Sequence, residues 1–425
     1  MLHLIRRRTG RRTGGNGPGS PRRSGRSASA RSVPTMLTTL LAVLLPLGLA
    51  QPALAAPSGR IVVTPPPVGP ILTNEYHVES NRSIAWNGSA TVVTATDAFG
   101  NLDYWYQPGG ATGWTEQVVA SASSGTSYYD AEITASPTGV LITAVEYYTG
   151  SIDFWWEADG TTTWYQETVA SGGQAGYFGN PSIAWSGAGV YIAATDKYGN
   201  AELWYAVSGT ATWTEQIVQR SYDGSYYEYA SVAWDGYSSQ PVVSADDRTS
   251  GNIYAWTPTS SGIWQTQQVQ AALTPTDTLS HADITEVAGG MAITYTESVG
   301  NLQYLAEGTE ASSWSGGTVA SWFPDNDAYN DPSMTWTGDG EMIVANDAPT
   351  GDLDAWIGDG ASGNAFQEQL IAPGPSDGGA DYYGEASVAW TGTDEVVVAS
   401  QTNTGHLAFW WHPTGSSAWY QEIIA

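Results

Sequence analysis

Six acidic residues recur at one position of a repeated sequence unit, and a seventh unit carries glutamine there. Each follows a β-branched or aromatic run and precedes a turn sequence, so it is predicted to end the second strand of its unit. Such carboxylates could accept hydrogen bonds from the paired hydroxyl groups of a sugar. The residues are Asp97, Glu146, Asp196, Asp246, Glu297 and Asp347, with Gln401 in the last unit.

Aromatic residues occupy the segments that join one unit to the next. In an antiparallel unit of four strands, this connection lies at the same edge as the turn between the second and third strands. Rings at this edge could stack on the apolar face of a pyranose beside the carboxylates. The candidates are Tyr129, Tyr177, Tyr227, Tyr329 and Tyr383, and Ser280-His281 takes this place in the fifth unit.

Two other interpretations of the acidic residues fit the same pattern. An Asp that precedes a Gly-Asn turn, as Asp196 does, often accepts hydrogen bonds from the N–H groups of its own turn. Acidic residues at hairpin tips also suit an oxygen-ligated cation such as calcium, although no loop has the dense D-x-D-x-D pattern. The sequence leaves open a ligand-binding acid, a turn cap and a calcium ligand, and it indicates no other cofactor.

An internal repeat supplies the elements that must position these residues. The segment Ser83-Ile84-Ala85-Trp86 returns in four close copies and two weaker ones. The seven units begin near residues 83, 132, 182, 231, 283, 333 and 387, at spacings of 49, 50, 49, 52, 50 and 54 residues.

Each unit contains four strand signals bounded by Gly, Asn or Ser, which are clearest in the third unit at 182–185, 190–196, 201–207 and 213–218. One small sheet cannot bury both of its faces, whereas seven sheets packed radially can. The repeat therefore predicts an all-β protein, a seven-bladed β-propeller of four-stranded antiparallel blades over residues 83–425.

Most of the 20 tryptophans follow the repeat. They open the fourth strand, lie in the third strand or end the first strand of nearly every unit. A residue that recurs at one position in nearly every blade is most simply explained by packing between blades. Only Trp156, Trp322 and Trp411 fall outside this pattern, and Trp322 is expected to be the most exposed of the three.

The N-terminal segment has the pattern of a secretory signal. Residues 1–55 contain nine Arg and no Asp or Glu, and the apolar run 36–50 precedes the small residues Ala53-Leu54-Ala55. A positive region, a short apolar core and an A-x-A site predict export and cleavage. Residues 56–82, with Pro65-Pro66-Pro67, are expected to form either a linker or an extra outer strand. We therefore expect a secreted, extracellular protein.

Composition excludes several classes of function. The chain has no Cys and a formal net charge of −28, and loss of residues 1–55 would leave five basic residues against 42 acidic ones. Zero Cys excludes disulfides, iron–sulfur clusters and a thiol nucleophile. The acidic balance argues against a nucleic-acid partner, and no further apolar segment predicts membrane insertion. We expect a monomer.

The sequence gives little support for an enzyme, and no catalytic residue is assigned. A propeller glycosidase would need two carboxylates about 5–10 Å apart, which the recurring acids or the loop cluster Asp325, Asp327 and Asp331 could supply. However, the strongest features repeat in every unit, whereas a single active site should break the repeat. No G-x-S-x-G, H-E-x-x-H or P-loop motif is present.

The unit TD-x-x-GN-L-x-Y-W-Y-Q…W-x-E-Q-V-V-A, at 96–120, resembles repeats of bacterial seven-bladed propeller lectins. Uncharacterised exported proteins with the repeat P-S-I-A-W…L-x-F-Y-W…W-x-x-E-Q-V-A are similar over whole blades, as at 181–218 and 386–424. The resemblance implies a propeller that binds carbohydrate. Fucose-binding members carry an Arg in each sugar site; here Arg60, Arg82, Arg220 and Arg248 do not recur by repeat, so a fucose-type site is not expected.

Two hypotheses of function remain from the sequence. The first is a multivalent, lectin-like protein that binds a neutral glycan or cell-surface polysaccharide through the loops between blades. The second is a scaffold that binds a surface protein through the same acidic, tyrosine-rich face.

Overall fold

The computed structural model describes residues 61–63 and 82–425, except 159–160, 174–176, 211, 223, 273–277, 308–312, 323–327, 359–364, 380 and 417. The predicted signal segment 1–55 lies outside the described residues, as do most of 56–82 and the loop residues Asp325 and Asp327.

Seven sheets of consecutive antiparallel strands are arranged around a common axis, which confirms the predicted seven-bladed β-propeller. Blade one consists of β2 (Ser83–Trp86), β3 (Ala90–Thr96), β4 (Leu102–Pro108) and β5 (Thr115–Ala120). Blade two consists of β6 (Tyr128–Ser136), β7 (Gly139–Glu146), β8 (Ser151–Ala158) and β9 (Trp164–Ala170). Blade three consists of β10 (Phe178–Trp185), β11 (Gly189–Asp196), β12 (Ala201–Val207) and β13 (Thr214–Gln219).

Blades four and five are β14 (Tyr227–Asp235), β15 (Gln240–Asp247), β16 (Asn252–Pro258) and β17 (Trp264–Gln270); and β18 (Leu279–Val287), β19 (Gly290–Glu297), β20 (Leu302–Glu307) and β21 (Trp314–Ala320). Blades six and seven are β22 (Tyr329–Trp336), β23 (Glu341–Asp347), β24 (Leu353–Gly358) and β25 (Phe366–Ala372); and β26 (Tyr383–Trp390), β27 (Asp394–Gln401), β28 (His406–Pro413) and β29 (Tyr420–Ile423).

Two short elements accompany the blades. The strand β1 (Ile61–Val63) pairs antiparallel with β9 and adds a fifth, outermost strand to blade two. A 3₁₀ turn, Pro375–Asp377, lies between blades six and seven. No helix among the described residues is long and apolar enough to cross a membrane.

The second strand of every blade is the most deeply buried. All seven residues of β3 and all eight of β7 are buried, and their sequences are continuous β-branched and small apolar runs. Such runs form strands that are covered on both faces. Each blade therefore contributes one side of its sheet to the core shared with the preceding blade and the other side to the core shared with the next.

The first strand of each blade lies nearest the axis, and in blades two to seven it carries a bulge. In β14 the pairing with β15 shifts between Glu228 and Ser231: Tyr229 and Ala230 together face the single residue Ala245, so one extra residue is inserted in the inner strand. Equivalent shifts occur in β6, β10, β18, β22 and β26. These strands start several residues before the predicted S-I-A-W segment because the bulge interrupts the alternation from which the sequence predicts a strand.

Tryptophans of the fourth strands connect neighbouring blades through the indole N–H. Trp164 Nε1 donates to Gln117 Oε1 of the preceding blade at 3.0 Å. The same bond, to a Gln or Glu one blade earlier, joins Trp213 to Glu167, Trp314 to Gln267 and Trp419 to Gln369 at 2.9–3.1 Å. The recurring W-x-E-Q sequence thus supplies a donor to one neighbour and an acceptor to the other.

The ring closes between blade seven and blade one. The innermost strands contact each other in the order β2, β6, β10, β14, β18, β22 and β26, and β26 contacts β2 again. At this seam Arg82 Nη1 donates to the Glu385 carbonyl oxygen at 3.0 Å and Gln107 Nε2 donates to Glu422 Oε2 at 3.0 Å. Each of the two blades supplies its own four strands, so side-chain and backbone contacts close the ring.

Candidate functional site

The acids of blades one and three cap their own turns. Oδ1 of Asp97 accepts hydrogen bonds from the backbone N–H of Phe99 at 2.9 Å and of Asn101 at 2.8 Å, and Oδ2 accepts from Asn101 Nδ2 at 2.7 Å. Asp196 repeats these bonds with Tyr198 and Asn200. Both carboxylates are buried, so much of their hydrogen-bonding capacity serves the turn between the second and third strands.

Three further acids are also engaged within the protein. Glu146 accepts from the N–H groups of Tyr148 and Thr149, Asp347 accepts from the N–H of Ala328 at 2.7 Å, and Glu297 accepts from Asn301 Nδ2 at 2.6 Å. In the last blade Gln401 Oε1 accepts from the Thr404 hydroxyl at 2.9 Å. The turn-cap interpretation therefore describes these positions, and none of them presents a bare carboxylate to solvent.

In blade four the prediction of Asp246 as the acid that ends the second strand is wrong by one residue. Tyr227 pairs with Asp247, as Phe178 pairs with Asp196 in blade three. Asp247 caps the turn through the N–H of Thr249 and the Ser250 hydroxyl. Because side chains alternate along a strand, Asp246 points to the other side of the sheet. There burial raises the pKa of its carboxyl well above the usual range.

Three of the five predicted tyrosines belong to the core. Tyr227, Tyr329 and Tyr383 are buried and pack edge-on against the tryptophan of the third strand in their own blade. The Tyr227 and Trp256 ring centroids, for example, lie 5.3 Å apart with the planes at 88°. These rings cannot stack on a ligand from solvent, which corrects the expectation that they do.

The other two predicted tyrosines belong to an exposed cluster between blades two and three, here called the tyrosine cluster: Tyr129, Tyr147, Tyr148 and Tyr177. The ring centroids of Tyr129 and Tyr147 lie 5.9 Å apart, and those of Tyr147 and Tyr148 lie 5.4 Å apart. The Tyr177 hydroxyl donates to the Tyr147 carbonyl oxygen at 3.1 Å. Tyr147, Tyr148 and Tyr177 remain 55%, 62% and 40% exposed.

The cluster lies on the face that carries the turns between the second and third strands, here called the upper face. Tyr177 sits over Gly150 of the preceding blade, where a Cβ would approach the Tyr177 ring to 2.5 Å. Gly150 also has a φ of +67°, so glycine is required there for two reasons. The ring of one blade is thus supported on the turn of the blade before it.

Sequence reasoning missed the aromatic residues of the turns themselves. Phe99, Tyr148 and Tyr198 each lie two residues after the capping acid and are 54–68% exposed. The available signal was an aromatic residue two positions after the capping acid, inside D-x-x-G in blades one and three and inside E-x-x-x-G in blade two. Other exposed aromatic residues near this face are Tyr222, Trp322 and Tyr382.

Replacing Asp196 with alanine is expected to destabilise the protein by about 2 kcal/mol, because hydrogen bonds to a charged acceptor contribute about 1.5–3 kcal/mol. Three bonds are lost from one turn. Urea unfolding followed by circular dichroism would measure the change. Asp196→Asn, which keeps one acceptor oxygen, should recover part of it. An unchanged unfolding free energy together with altered ligand binding would contradict the capping role.

The described residues include no group of three or more His, Asp or Glu side chains placed to hold a metal ion. The capping acids accept hydrogen bonds from N–H and hydroxyl groups of their own turns and, for Asp347, from the N–H of Ala328 in the preceding loop.

A cavity of about 770 Å³ lies on the axis and is lined by the first strands of all seven blades. Two layers of side chains line the cavity, one after the other along the axis. The first layer consists of the bulge residues of the inner strands of blades two to seven, at the end nearest the upper face. The second layer ties the inner strands together: the Ser83 hydroxyl donates to Glu132 Oε2 at 3.0 Å, and the Ser231 hydroxyl donates to Asp283 Oδ1 at 3.1 Å.

Bulge residues contact each other across blade boundaries. His281 Nε2 lies 3.1 Å from Asp331 Oδ1, and the Tyr229 and His281 ring centroids are 4.2 Å apart. Asp130 Oδ2 accepts from the N–H of Asn180 at 3.2 Å. These residues form a polar ring around the mouth of the cavity. Their positions lie about 50 residues apart in the sequence, so the sequence alone did not reveal that they come together.

The fold is similar to that of known propellers at low sequence identity. A lectin from Burkholderia pseudomallei superposes with a TM-score of 0.61 at 17% identity, over 82% of this chain and all of that one. A polysaccharide lyase described as an ulvan lyase gives 0.56 at 9% identity, over 82% of this chain and 95% of that one. No protein-family model and no curated protein matches the sequence. The resemblance to propeller lectins holds at the level of the fold.

Proposed function

We propose that this protein binds carbohydrate through the upper face, as an exported lectin-like protein. The observation that carries the proposal is the tyrosine cluster, in which three rings are 40–62% exposed. Tyr147 and Tyr148 belong to the turn that Glu146 caps, and the Tyr177 ring is supported from below by Gly150 of that turn. Rings held in this way stack on the apolar face of a pyranose at little cost in side-chain entropy. The lectin among the similar structures supports the same class of ligand.

Blades one to three carry aromatic residues at equivalent turns: Phe99, Tyr148 and Tyr198. Weak sites at neighbouring blades of one molecule gain affinity for a polymer, because the second contact is made at a high effective concentration. A polysaccharide is therefore a better ligand than a free monosaccharide. The net charge of −28 opposes binding of a sulfated or uronate-rich polymer, so we propose a neutral glycan.

An enzymatic function has less support. The acids of the upper face are bound to turn N–H groups, so they lack the free pair of carboxylates that glycoside hydrolysis requires. Carbohydrate binding needs only the exposed rings and nearby polar groups. Export remains part of the proposal through the signal sequence expected at residues 1–55.

Replacing Tyr147 and Tyr148 together with alanine is expected to weaken binding of a neutral polysaccharide by tenfold or more. Each stacked ring contributes about 0.5–1.5 kcal/mol, and 1.4 kcal/mol is a factor of ten in affinity. A polysaccharide pull-down and a glycan array, each with calcium and with EDTA, would identify the ligand. Titration of the wild-type and double-variant proteins would then measure the change.

The matched control is Tyr237→Ala. Tyr237 is 85% exposed and lies in the turn between β14 and β15, on the opposite face, so its loss should leave binding unchanged. Equal effects of both variants, or an absence of any glycan ligand, would overturn the proposal. Capture of an envelope protein that free sugar does not compete away would favour the scaffold hypothesis instead.

A further inference from the structure

One position of the inner strand has an unusual backbone conformation in six blades. It lies two residues before the second-layer residue exemplified by Ser83, and its φ is between +39° and +56°. A side chain in this left-handed region costs about 1–2 kcal/mol, which glycine would avoid. The six residues are Asp130, Asn180, Tyr229, His281, Asp331 and Glu385; the seventh, Asn81, lies outside the described residues.

Side-chain identity breaks the repeat at this position. The next residue is Ala or Pro in these six blades, and the one after it is Ser in four of them. The strained position itself has carboxylate, amide, phenol and imidazole side chains. A position that serves the fold alone would repeat, as the tryptophans do, whereas a single site on the axis needs a different group from each blade.

All six residues line the axial cavity at its mouth, and several of them are accessible. The side chains of His281, Asp331 and Glu385 are 29%, 35% and 25% exposed, and Asn180 and Tyr229 are half-buried. Arg82 stands behind Glu385 and is almost fully buried, with its Nη2 3.6 Å from Glu385 Oε2. Arg82 therefore holds Glu385 in place from behind. The residues at positive φ form the surface that a ligand would contact.

We propose that the axial mouth is a separate binding site for one neutral saccharide unit per molecule. Its accessible groups include acceptors, in Asp331 and Glu385, and groups that both donate and accept, in Asn180 and Tyr229. Hydroxyl groups of a sugar need both kinds of partner. The cavity volume of about 770 Å³ falls in the range of small-ligand sites.

The charge at the mouth selects against anionic sugars. Asp331 and Glu385 face the opening, and burial raises the pKa of Tyr229 to about 12, with nearby carboxylates such as Asp246 adding to the effect. The phenol therefore stays protonated and can donate to a hydroxyl oxygen. The axial site rests on the proposed function in one respect, which is that its ligand is also a neutral saccharide. Its location, its residues and its occurrence once per molecule are independent of the tyrosine cluster.

The test uses the Tyr147→Ala, Tyr148→Ala protein, which lacks two of the three exposed rings of the tyrosine cluster. Glucose, galactose, mannose, fucose and N-acetylglucosamine would each be added up to about 50 mM, a range that reveals weak millimolar sites. With five His in the whole chain, the imidazole NMR signals are few, and the His281→Gly variant assigns the one of interest. We expect a saturable shift of the His281 signal with one sugar bound per molecule.

Asp331→Gly should reduce this affinity at least tenfold without lowering the unfolding free energy, because glycine adopts the positive φ more readily. Asp331→Asn, which also tolerates this φ, is the second variant if the glycine protein unfolds. The matched control is Ser239→Gly. Ser239 has a φ of +57° in a turn outside the cavity, so its replacement relieves the same strain and should leave sugar binding unchanged.

The outcomes separate this site from the proposed function. A His281 shift that survives replacement of Tyr147 and Tyr148 and disappears in Asp331→Gly supports the axial site. Glycan binding by the wild-type protein with no effect on His281 overturns the axial site and leaves the proposed function standing. No response to any neutral sugar, by either protein and by polysaccharide pull-down, defeats both.

Discussion

Replacing Trp164 with alanine is expected to lower the free energy of unfolding by about 3–5 kcal/mol, the usual cost of truncating a fully buried aromatic residue. Trp164 opens β9 and is 0% exposed. Its ring packs edge-on against Tyr104 of blade one at 5.0 Å, and its Nε1 donates to Gln117 of the same blade. The substitution thus removes a packing contact and a hydrogen bond at a single blade boundary.

Equilibrium unfolding in urea, followed by circular dichroism and tryptophan fluorescence, would measure this loss. Trp164→Phe keeps most of the packing and leaves Gln117 without its donor, so an intermediate cost of about 1–3 kcal/mol is expected. Trp322→Ala, at a 38% exposed residue, is the control and should cost far less. A change below about 1 kcal/mol for Trp164→Ala would show that this boundary does not limit stability.

Replacing Glu132 with glutamine is expected to raise stability at pH 7–8 and to leave it unchanged below about pH 4. Glu132 is half-buried in the wall of the axial cavity. Desolvation of its carboxyl there, and secondly the nearby Asp283, raise its pKa to about 8. The unfolded pKa is near 4.5. Between these values the folded protein keeps a proton that the unfolded chain releases, so stability falls as the pH rises.

At pH 7 the cost of retaining this proton is on the order of 3 kcal/mol, from about 1.4 kcal/mol per pH unit between the two pKa values. Glutamine cannot ionise, and its amide oxygen can still accept the bond from Ser83. Thermal unfolding from pH 4 to pH 9 would compare the two proteins. Glu215→Gln, at an exposed residue of β13, is the control. Parallel stability curves for Glu132→Gln and wild type would contradict the prediction.

The architecture could be predicted because a four-stranded blade fixes the spacing of its own residues. Trp155 and Trp204 stand about 50 residues apart because each must fill the same core position of its blade. The inner strands were predicted too short. Of β14, only 231–234 follows the simple pattern, and the part before it contains Tyr229 at positive φ. A bulge leaves no periodic signal, so its side chains could not be placed.

The candidate site was predicted only in part. The end of the second strand was located correctly for Asp97 and Asp196, but whether their oxygens face solvent depends on turn N–H groups that sequence does not position. In blade four two adjacent acids compete for the position, and only the pairing of Tyr227 identifies Asp247. The contact of His281 with Asp331 depends on how two bulges converge at the axis, which needs the assembled ring.

The contacts that close the ring between blades one and seven have a topological consequence. Since β2–β5 and β26–β29 are each continuous in the chain, the seam is joined by bonds such as that from Gln107 to Glu422, without an exchanged strand. The other six boundaries use side-chain contacts of the same kind and have, in addition, a peptide connection. A circular permutant could therefore be opened at any inter-blade loop and linked across the present seam, and its blades would keep their cyclic order.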